Sequence, residues 1–544
     1  MAAEPSHQDA AGRDAPSRWR VLDPTTARTG PVQPTLYSPD RLLVRGDARD
    51  DGRASLDELA GTFGWQLDWD VTFGDRDTPG TLRGRGRGRD ADGGTDGTVS
   101  RLVLTSLPTS PLPVVDAWLL LESARAARLP RVEPGTPPSG TRVRRLELDP
   151  ADPLARVSLD HAIFLAAYQP NARGFFGTNP FYGTNPFYGT NPFYGTNPAG
   201  SPTASYLAPG AGGRTPVAVL LPSPDRGPDP HEGRRAAVGI LDSGCGEHPW
   251  LTTVVRDHPN LVGTPVCPES ALVRDPEVHP DQHGPLDGML DAVSGHGTFI
   301  AGVVRQSAPT ADVYSWRVVA SDGAISESEL VAALAHVADL VHANVDDPTA
   351  GLRLDVLSLS LGYYHESPED PAHDAMLRPV LHALAADGVA IVCSAGNEST
   401  DRPLFPAAFA AVPSPGAPVL AVGARNPNGT VALFSNTGDW VSCYALGASV
   451  VSTSPPFEGG LQPLARIPET VDADGRLREC RETVDPDSYV GGFAVWSGTS
   501  FAAPHLAGLL ATGLAAAHGE LPRHTDTDKA SATAAQVAAQ LLDR

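Results

Sequence analysis

Ser497-Gly498-Thr499-Ser500-Phe501-Ala502-Ala503-Pro504-His505, running directly into LAGLLATGLAAA at 506–517, decides how this chain is read. The residues after Ser500 are small or apolar on every side of a helical wheel, the pattern of a helix buried all round. Gly498 supplies the tight turn into it. Pro504 is expected in the first turn, where a backbone donor is dispensable. Ser500 then stands at the amino end of a buried helix, whose dipole favours negative charge developing beside it. A packed central helix accounts for the alanines and glycines, but not for the whole S-G-T-S-x-A-A-P string.

Outward from that string, short apolar runs at 236–241, 311–319, 356–361, 389–394 and 419–422 suit strands buried on both faces. Helical patterns lie between them, the clearest at 326–342, where Ser326 and Glu329 are spaced for a capping box. Such alternation predicts an α/β fold, a mostly parallel sheet with helices on both faces. Two motifs fall at element ends. Asp242, in LDSG at 241–244, closes a buried strand, and open α/β sheets place their sites at the carboxyl ends of strands. His296, in SGHGT at 294–298, opens an apolar helical stretch, and its flanking glycines let backbone approach closely. Taken singly, the first could be a turn and the second a satisfied loop histidine.

Together the three motifs resemble the subtilisin-like serine protease family (subtilases, peptidase S8 type), over roughly residues 236–518. The chain order Asp, His, Ser is that of subtilisin. VCSAGN at 392–397 resembles the family's oxyanion-asparagine motif, and SLSLG at 358–362 its substrate-pairing edge strand. The resemblance implies a serine endopeptidase working through an acyl-enzyme. A serine hydroxyl needs an adjacent base to become a nucleophile. His296 would take the Ser500 proton and return it to the leaving amine, while Asp242 fixes the imidazole tautomer. Asn397 and the Ser500 backbone N–H would receive the oxyanion. Ser360, Leu361 and Gly362 would bind substrate backbone. His505, five residues past Ser500 on the same helix, is read as structural, and buried cysteines near the site, Cys245 and Cys393, as inert.

Two departures from the family pattern stand out: about 40 residues, 454–494, before the serine, and the expansion CPESALVRDPEVHPDQHGPLDG at 267–288 before the histidine. Both read as rim loops restricting access or as surface insertions. No metal is assigned and no cofactor is expected. Calcium occurs in many family members, and DADG at 472–475 begins like a calcium loop, but the remaining ligands are missing.

The N-terminal half reads differently. Residues 1–34 are polar and Pro-rich, a mobile tail. Strand at 42–44, helix at 55–63, strands at 65–73 and 100–107, helix at 114–128 and a strand at 141–148 give β-α-β-β-α-β, a smaller α+β ferredoxin-like domain over 35–165. Many subtilases carry such a propeptide, which assists folding and then blocks the site. Residues 166–232 read as a low-complexity linker holding the turn-rich GTNPFY-GTNPFY-GTNPFY-GTNP at 177–198, which reads as a cleavable linker if the propeptide reading holds, as a spacer with no role, or as a released peptide or docking ribbon. The protease domain spans 233–522, and 523–544 is a last helix.

Composition narrows the partners. The chain has 544 residues, 41 Lys+Arg against 64 Asp+Glu and a formal charge of −23, so nucleic acid and anionic membrane are not expected partners. Expected instead are protein or peptide substrates, the chain's own N-terminal region among them; oligomeric state is open. Five cysteines are too few for a disulfide scaffold. The first thirty residues lack the apolar core of a secretory signal and no transmembrane segment is expected, which makes the cytoplasm the default location. The competing reading is a catalytically silent pseudoprotease, a peptide receptor or regulatory scaffold on the same fold.

Overall fold

The computed structural model describes residues 18–45, 52–75, 78–79, 81–82, 98–108, 110–129, 148–149, 152–165, 214–256, 275–283, 286–367, 376–460, 463, 465–467, 473–474, 481–518, 521–522 and 526–542. The GTNPFY repeats lie outside these residues, as do Cys267, Cys480 and most of 141–148.

The N-terminal unit orders its elements as β1 (Leu36–Arg45), α1 (Gly52–Phe63), β2 (Trp65–Trp69), β3 (Val99–Ser106), α2 (Ala117–Ala126) and β4 (Val157–Leu165). The strands lie β4-β1-β3-β2, all antiparallel, the ferredoxin-like order. Leu42, Val44, Leu102, Leu104, Leu120, Leu121 and Leu159 fill its core from sheet and helices. The strand that completes this order is Val157–Leu165, and the one expected at 141–148 lies almost wholly outside the described residues. One correction applies. The expected tail is packed from residue 18 to residue 34: Arg20–Val21 pairs with β1, Leu22 is fully buried, and the buried Glu122 carboxylate accepts the backbone N–H groups of Arg28 and Thr29.

The larger unit is built on seven parallel strands. In chain order its elements are β5 (Ala237–Asp242), α3 (His296–Ser307), β6 (Asp312–Arg317), α4 (Glu327–Asp346), β7 (Val356–Leu359), α5 (Leu377–Ala386), β8 (Ala390–Ser394), β9 (Val419–Arg425), β10 (Cys443–Leu446), α6 (Thr499–His518) and α7 (Thr527–Leu542). The sheet runs from the short Val255–Arg256 strand through β6-β5-β7-β8-β9 to β10. Every residue of β5, β7 and β8 is buried, because helices cover both faces. Ser326 caps α4 with Glu329 in a reciprocal capping box. By length and composition α6 could cross a membrane, but here it is the core helix, packed on α3, α7 and the sheet. Part of the expected linker also belongs to this unit: Arg214 is buried and Thr215–Pro216 pairs with Ala494–Val495.

One strand joins the two units. Beyond His161, β4 leaves β1 and enters a slot between two edges of the larger unit. On one side Ala162, Ile163 and Phe164 pair antiparallel with Ser326, Ile325 and Ala324. On the other, Phe164 and Leu165 pair with Gly362 and Leu361, and the Leu165 N–H donates to the Gly323 carbonyl at 3.1 Å.

Candidate active site

Asp242 ends β5, His296 opens α3 and Ser500 is the second residue of α6; all three are fully buried. The His296 ring meets Asp242 Oδ1 through Nδ1 at 2.7 Å. That contact turns Nε2 away from the carboxylate, the arrangement in which a histidine can serve as base toward a hydroxyl. The ring is held edge-on to Trp496, 5.4 Å between centroids, and tilted against Phe501 at 5.5 Å. Gly295, at φ +78°, makes the left-handed turn before α3, and a Cβ there would meet Pro455 Cδ at 2.9 Å. A Cβ at Gly297 would drive into the Gly244 carbonyl, so only glycine lets the start of α3 close on the loop behind Asp242.

The turn into α6 couples it to β8. Asn397 Oδ1 accepts from the backbone N–H of Thr499 at 2.9 Å and from its hydroxyl at 3.0 Å, which fixes the rotation of the amide. The Thr499 hydroxyl in turn accepts the Gly396 N–H at 3.1 Å. Asn397 Nδ2 then lies against Gly498, 3.5 Å from where a Cβ would stand.

Pro504 corrects one expectation. The helix begins at Thr499, so Pro504 sits in its second turn, inside the ladder. Its missing N–H deprives the Ser500 carbonyl, four residues back, of an intrahelical partner. The Ser360 hydroxyl supplies the donor instead, at 2.9 Å. Ser360 thus ties the Leu361–Gly362 edge, on which β4 is paired, to the backbone of Ser500. His505 points elsewhere, its Nδ1 3.2 Å from Ser307 Oγ, and burial pushes its pKa down. Cys245, Cys393 and Cys443 form no disulfide, and burial pushes the Cys393 thiol far up.

Three features escaped the sequence reading. Arg214, fully buried, donates to the carbonyls of Ser294 and, at 2.9 Å, Asp291, and its guanidinium lies 4.7 Å from the Trp496 ring and 5.3 Å from Tyr489. It supports the turn before His296 from below. Both expansions abut that turn: Pro455 and Phe457 press on Gly295, while Gly460 donates to the Gly288 carbonyl at 2.5 Å. Glu277, also buried, bonds Ser243, Gly297 and Thr298.

The third is the β4 contact itself. His161, 1% exposed, meets Glu327 Oε2 through Nδ1 at 2.7 Å and Glu366 Oε2 through Nε2 at 2.9 Å. Burial alone would depress its pKa, but the two carboxylates hold it up to about 10. Its neighbour Asp160 receives the N–H of Ser328 at 2.9 Å and its hydroxyl at 2.8 Å, in the first turn of α4. Alternating apolar residues in VSLDHAIFL at 157–165 were the signal available. Among the described residues, His161, His365 and Glu366 are the one cluster spaced to hold a metal ion. Their donors are already committed: both His161 nitrogens face carboxylates, and His365 Nδ1 accepts the Ser367 N–H at 2.9 Å.

Residues 233–544 match the family model described as the subtilase family. The chain is similar to an intracellular serine protease of Paenibacillus polymyxa, 25% identical over 51% of this chain and 66% of that one. It is also similar to the major intracellular serine protease of Bacillus subtilis (strain 168), 24% identical over 41% of this chain and 61% of that one. The match therefore spans just under two thirds of these relatives' own length. A solved structure of a cold adapted subtilisin-like serine proteinase aligns at a TM-score of 0.35 with 20% identity, over 62% of this chain and 92% of that one. With a family match across more than half its length, on a seven-stranded parallel sheet flanked by helices, the chain belongs to the subtilase family.

Proposed function

We propose that the protein is a serine endopeptidase, with Asp242, His296 and Ser500 as its triad and Asn397 as an oxyanion donor, made with its N-terminal domain seated in its own substrate cleft. His296 Nε2 takes the Ser500 proton as Oγ attacks the carbonyl, and Asp242, 2.7 Å from Nδ1, stabilises the imidazolium. Asn397, fixed by Thr499, and the α6 amino end receive the oxyanion. The returning proton goes to the leaving amine, and water completes the cycle through the acyl-enzyme.

The observation that carries the reading is the pairing of β4 on both cleft edges. Leu165 faces Leu361, and the preceding Ser360 is bonded to the Ser500 carbonyl. Along an antiparallel ladder the next peptides after Leu165 are those nearest the nucleophile, so first cleavage is expected within about three residues of it. Residues of the expansions packed against the Gly295 turn, Pro455 and Phe457 among them, support a restricted substrate range.

Intact mass and N-terminal mapping of wild type beside Ser500→Ala, followed over hours, test this. Wild type alone is expected to separate into two fragments cut shortly after Leu165. Both proteins remaining whole, with wild type refractory to a fluorophosphonate probe, would leave a silent peptide receptor in place of the enzyme.

A further inference from the structure

Glu277 comes from the expansion before the histidine motif, yet its carboxyl is buried between the two catalytic motifs. Its Oε1 lies 2.5 Å from Ser243 Oγ and accepts the Gly297 N–H at 3.1 Å, and its Oε2 meets the Thr298 hydroxyl. Ser243 follows Asp242, and Gly297 and Thr298 follow His296, so one side chain pins both motifs. Ser243 Oγ also accepts the Gly297 N–H at 2.7 Å and stands 3.1 Å from Asp242 Oδ1, the oxygen that meets the imidazole.

The protons on this chain can be counted. Ser243 has one hydroxyl proton and faces two carboxyl oxygens. Both contacts become full hydrogen bonds, with Asp242 Oδ1 kept as an acceptor toward the imidazole, when Glu277 carries a proton and donates it to Ser243 Oγ while Ser243 donates its own to Asp242. The surroundings favour that form. Burial pushes the Glu277 pKa up; the Ser243 and Thr298 hydroxyls oppose it, and Asp242 and Asp275 add to it. Of the cations nearby, Arg317 is 3.5 Å from Asp275, and Arg214 bonds the carbonyls of Asp291 and Ser294 while its charge also acts on Glu277 and opposes the neutral form.

We propose that Glu277 is a positioning residue for the Asp242–His296 pair, acting as a neutral carboxyl through the Ser243 hydroxyl. It touches no substrate. It fixes which Asp242 oxygen meets the imidazole and holds the α3 start against the β5 end. The inference rests on the triad reading above.

The test compares Glu277→Gln and Glu277→Leu with wild type, each prepared from the full chain. The readouts are kcat and KM on a quenched fluorescent peptide that wild type cuts, and the pH dependence of fluorophosphonate capture at Ser500. Glu277→Gln still offers a donor to Ser243, so kcat within about threefold of wild type and an unmoved acid limb are expected. Glu277→Leu removes the donor; kcat is expected to fall about tenfold or more with KM unchanged. Wild-type kcat in the leucine variant overturns the proposal. So does an acid limb shifted to lower pH in the glutamine variant, the sign of a lost negative charge beside the imidazolium. If the leucine variant does not fold, the glutamine profile decides alone. A wild type that takes no probe refutes the triad itself, which is a different failure.

Discussion

Replacing His161 with leucine should loosen the N-terminal domain by a large and pH-dependent amount. In the docked state the imidazolium sits between Glu327 and Glu366, fully buried. Removing it leaves two carboxylates without their shared cation, a change that costs about 3–5 kcal/mol in buried ion pairs. The titration gives a comparable figure: from an ordinary 6.5 to about 10 corresponds to at most about 5 kcal/mol. A histidine whose pKa is raised on docking contributes fully below its undocked value and loses that contribution as pH climbs through the docked one. The hold should therefore weaken between about pH 6.5 and 10, at up to about 1.4 kcal/mol per pH unit. Mild acid should not release it: burial works against ionised Glu366, but His365, His161 and Arg125 keep its carboxyl well below the ordinary 4.5. The assay is hydrogen exchange of the β4 amides in full-length Ser500→Ala, with and without His161→Leu, from pH 6 to 10. The two proteins should converge as pH rises. A gap that stays constant across that range, or domain release near pH 5 that requires His161, would refute the reasoning.

Three further outcomes follow from the geometry. Asn397→Ala should lower kcat on the order of 10²–10³ with little change in KM, the size of effect documented for this donor in a subtilisin; an unchanged kcat would remove Asn397 from the oxyanion site. Gly297→Ala should destabilise the fold by about 1–3 kcal/mol, because the new Cβ must push the Gly244 loop away. It should also cost activity about 10²-fold, since the Asp242 and His296 motifs part by a fraction of an ångström; urea melts and peptide hydrolysis read the two effects separately. Asp160→Ala removes a first-turn acceptor from α4 and should weaken docking by about 1 kcal/mol, seen as faster exchange in β4 of the Ser500→Ala background.

The three catalytic candidates and Asn397 were legible because each sits in a short string whose glycines and serines make sense only at a turn. The parallel sheet was legible from its apolar runs for a related reason: strands covered on both faces show their burial in sequence. β4 was not. Asp160 and His161 interrupt a mostly apolar strand, and they are tolerable only because Ser328, Glu327 and Glu366, more than 160 residues onward, receive them. No local pattern can display a partner on another domain. The packed stretch 18–34 fails likewise: its ordering depends on the Glu122 carboxylate, which lies on α2. Glu277 has no sequence signature, since its role exists only where an inserted loop folds back between two motifs.

Arg214 and Leu165 fix the two ends of the segment between the domains, one beneath the His296 turn and the other in the cleft. The 48 residues between them, outside the described ones, keep both units on one chain, and their number sets a mass-action term. While the chain is whole, an undocked domain competes for the cleft at an effective concentration on the order of millimolar or somewhat below. If the proposed self-cleavage separates them, the same domain competes only at its real concentration. At micromolar protein, scission alone would shift occupancy by about 10²–10³ without altering a single contact in the cleft. Dilution would then do the work of activation, and the enzyme's output would depend on how crowded its own released domain remains around it.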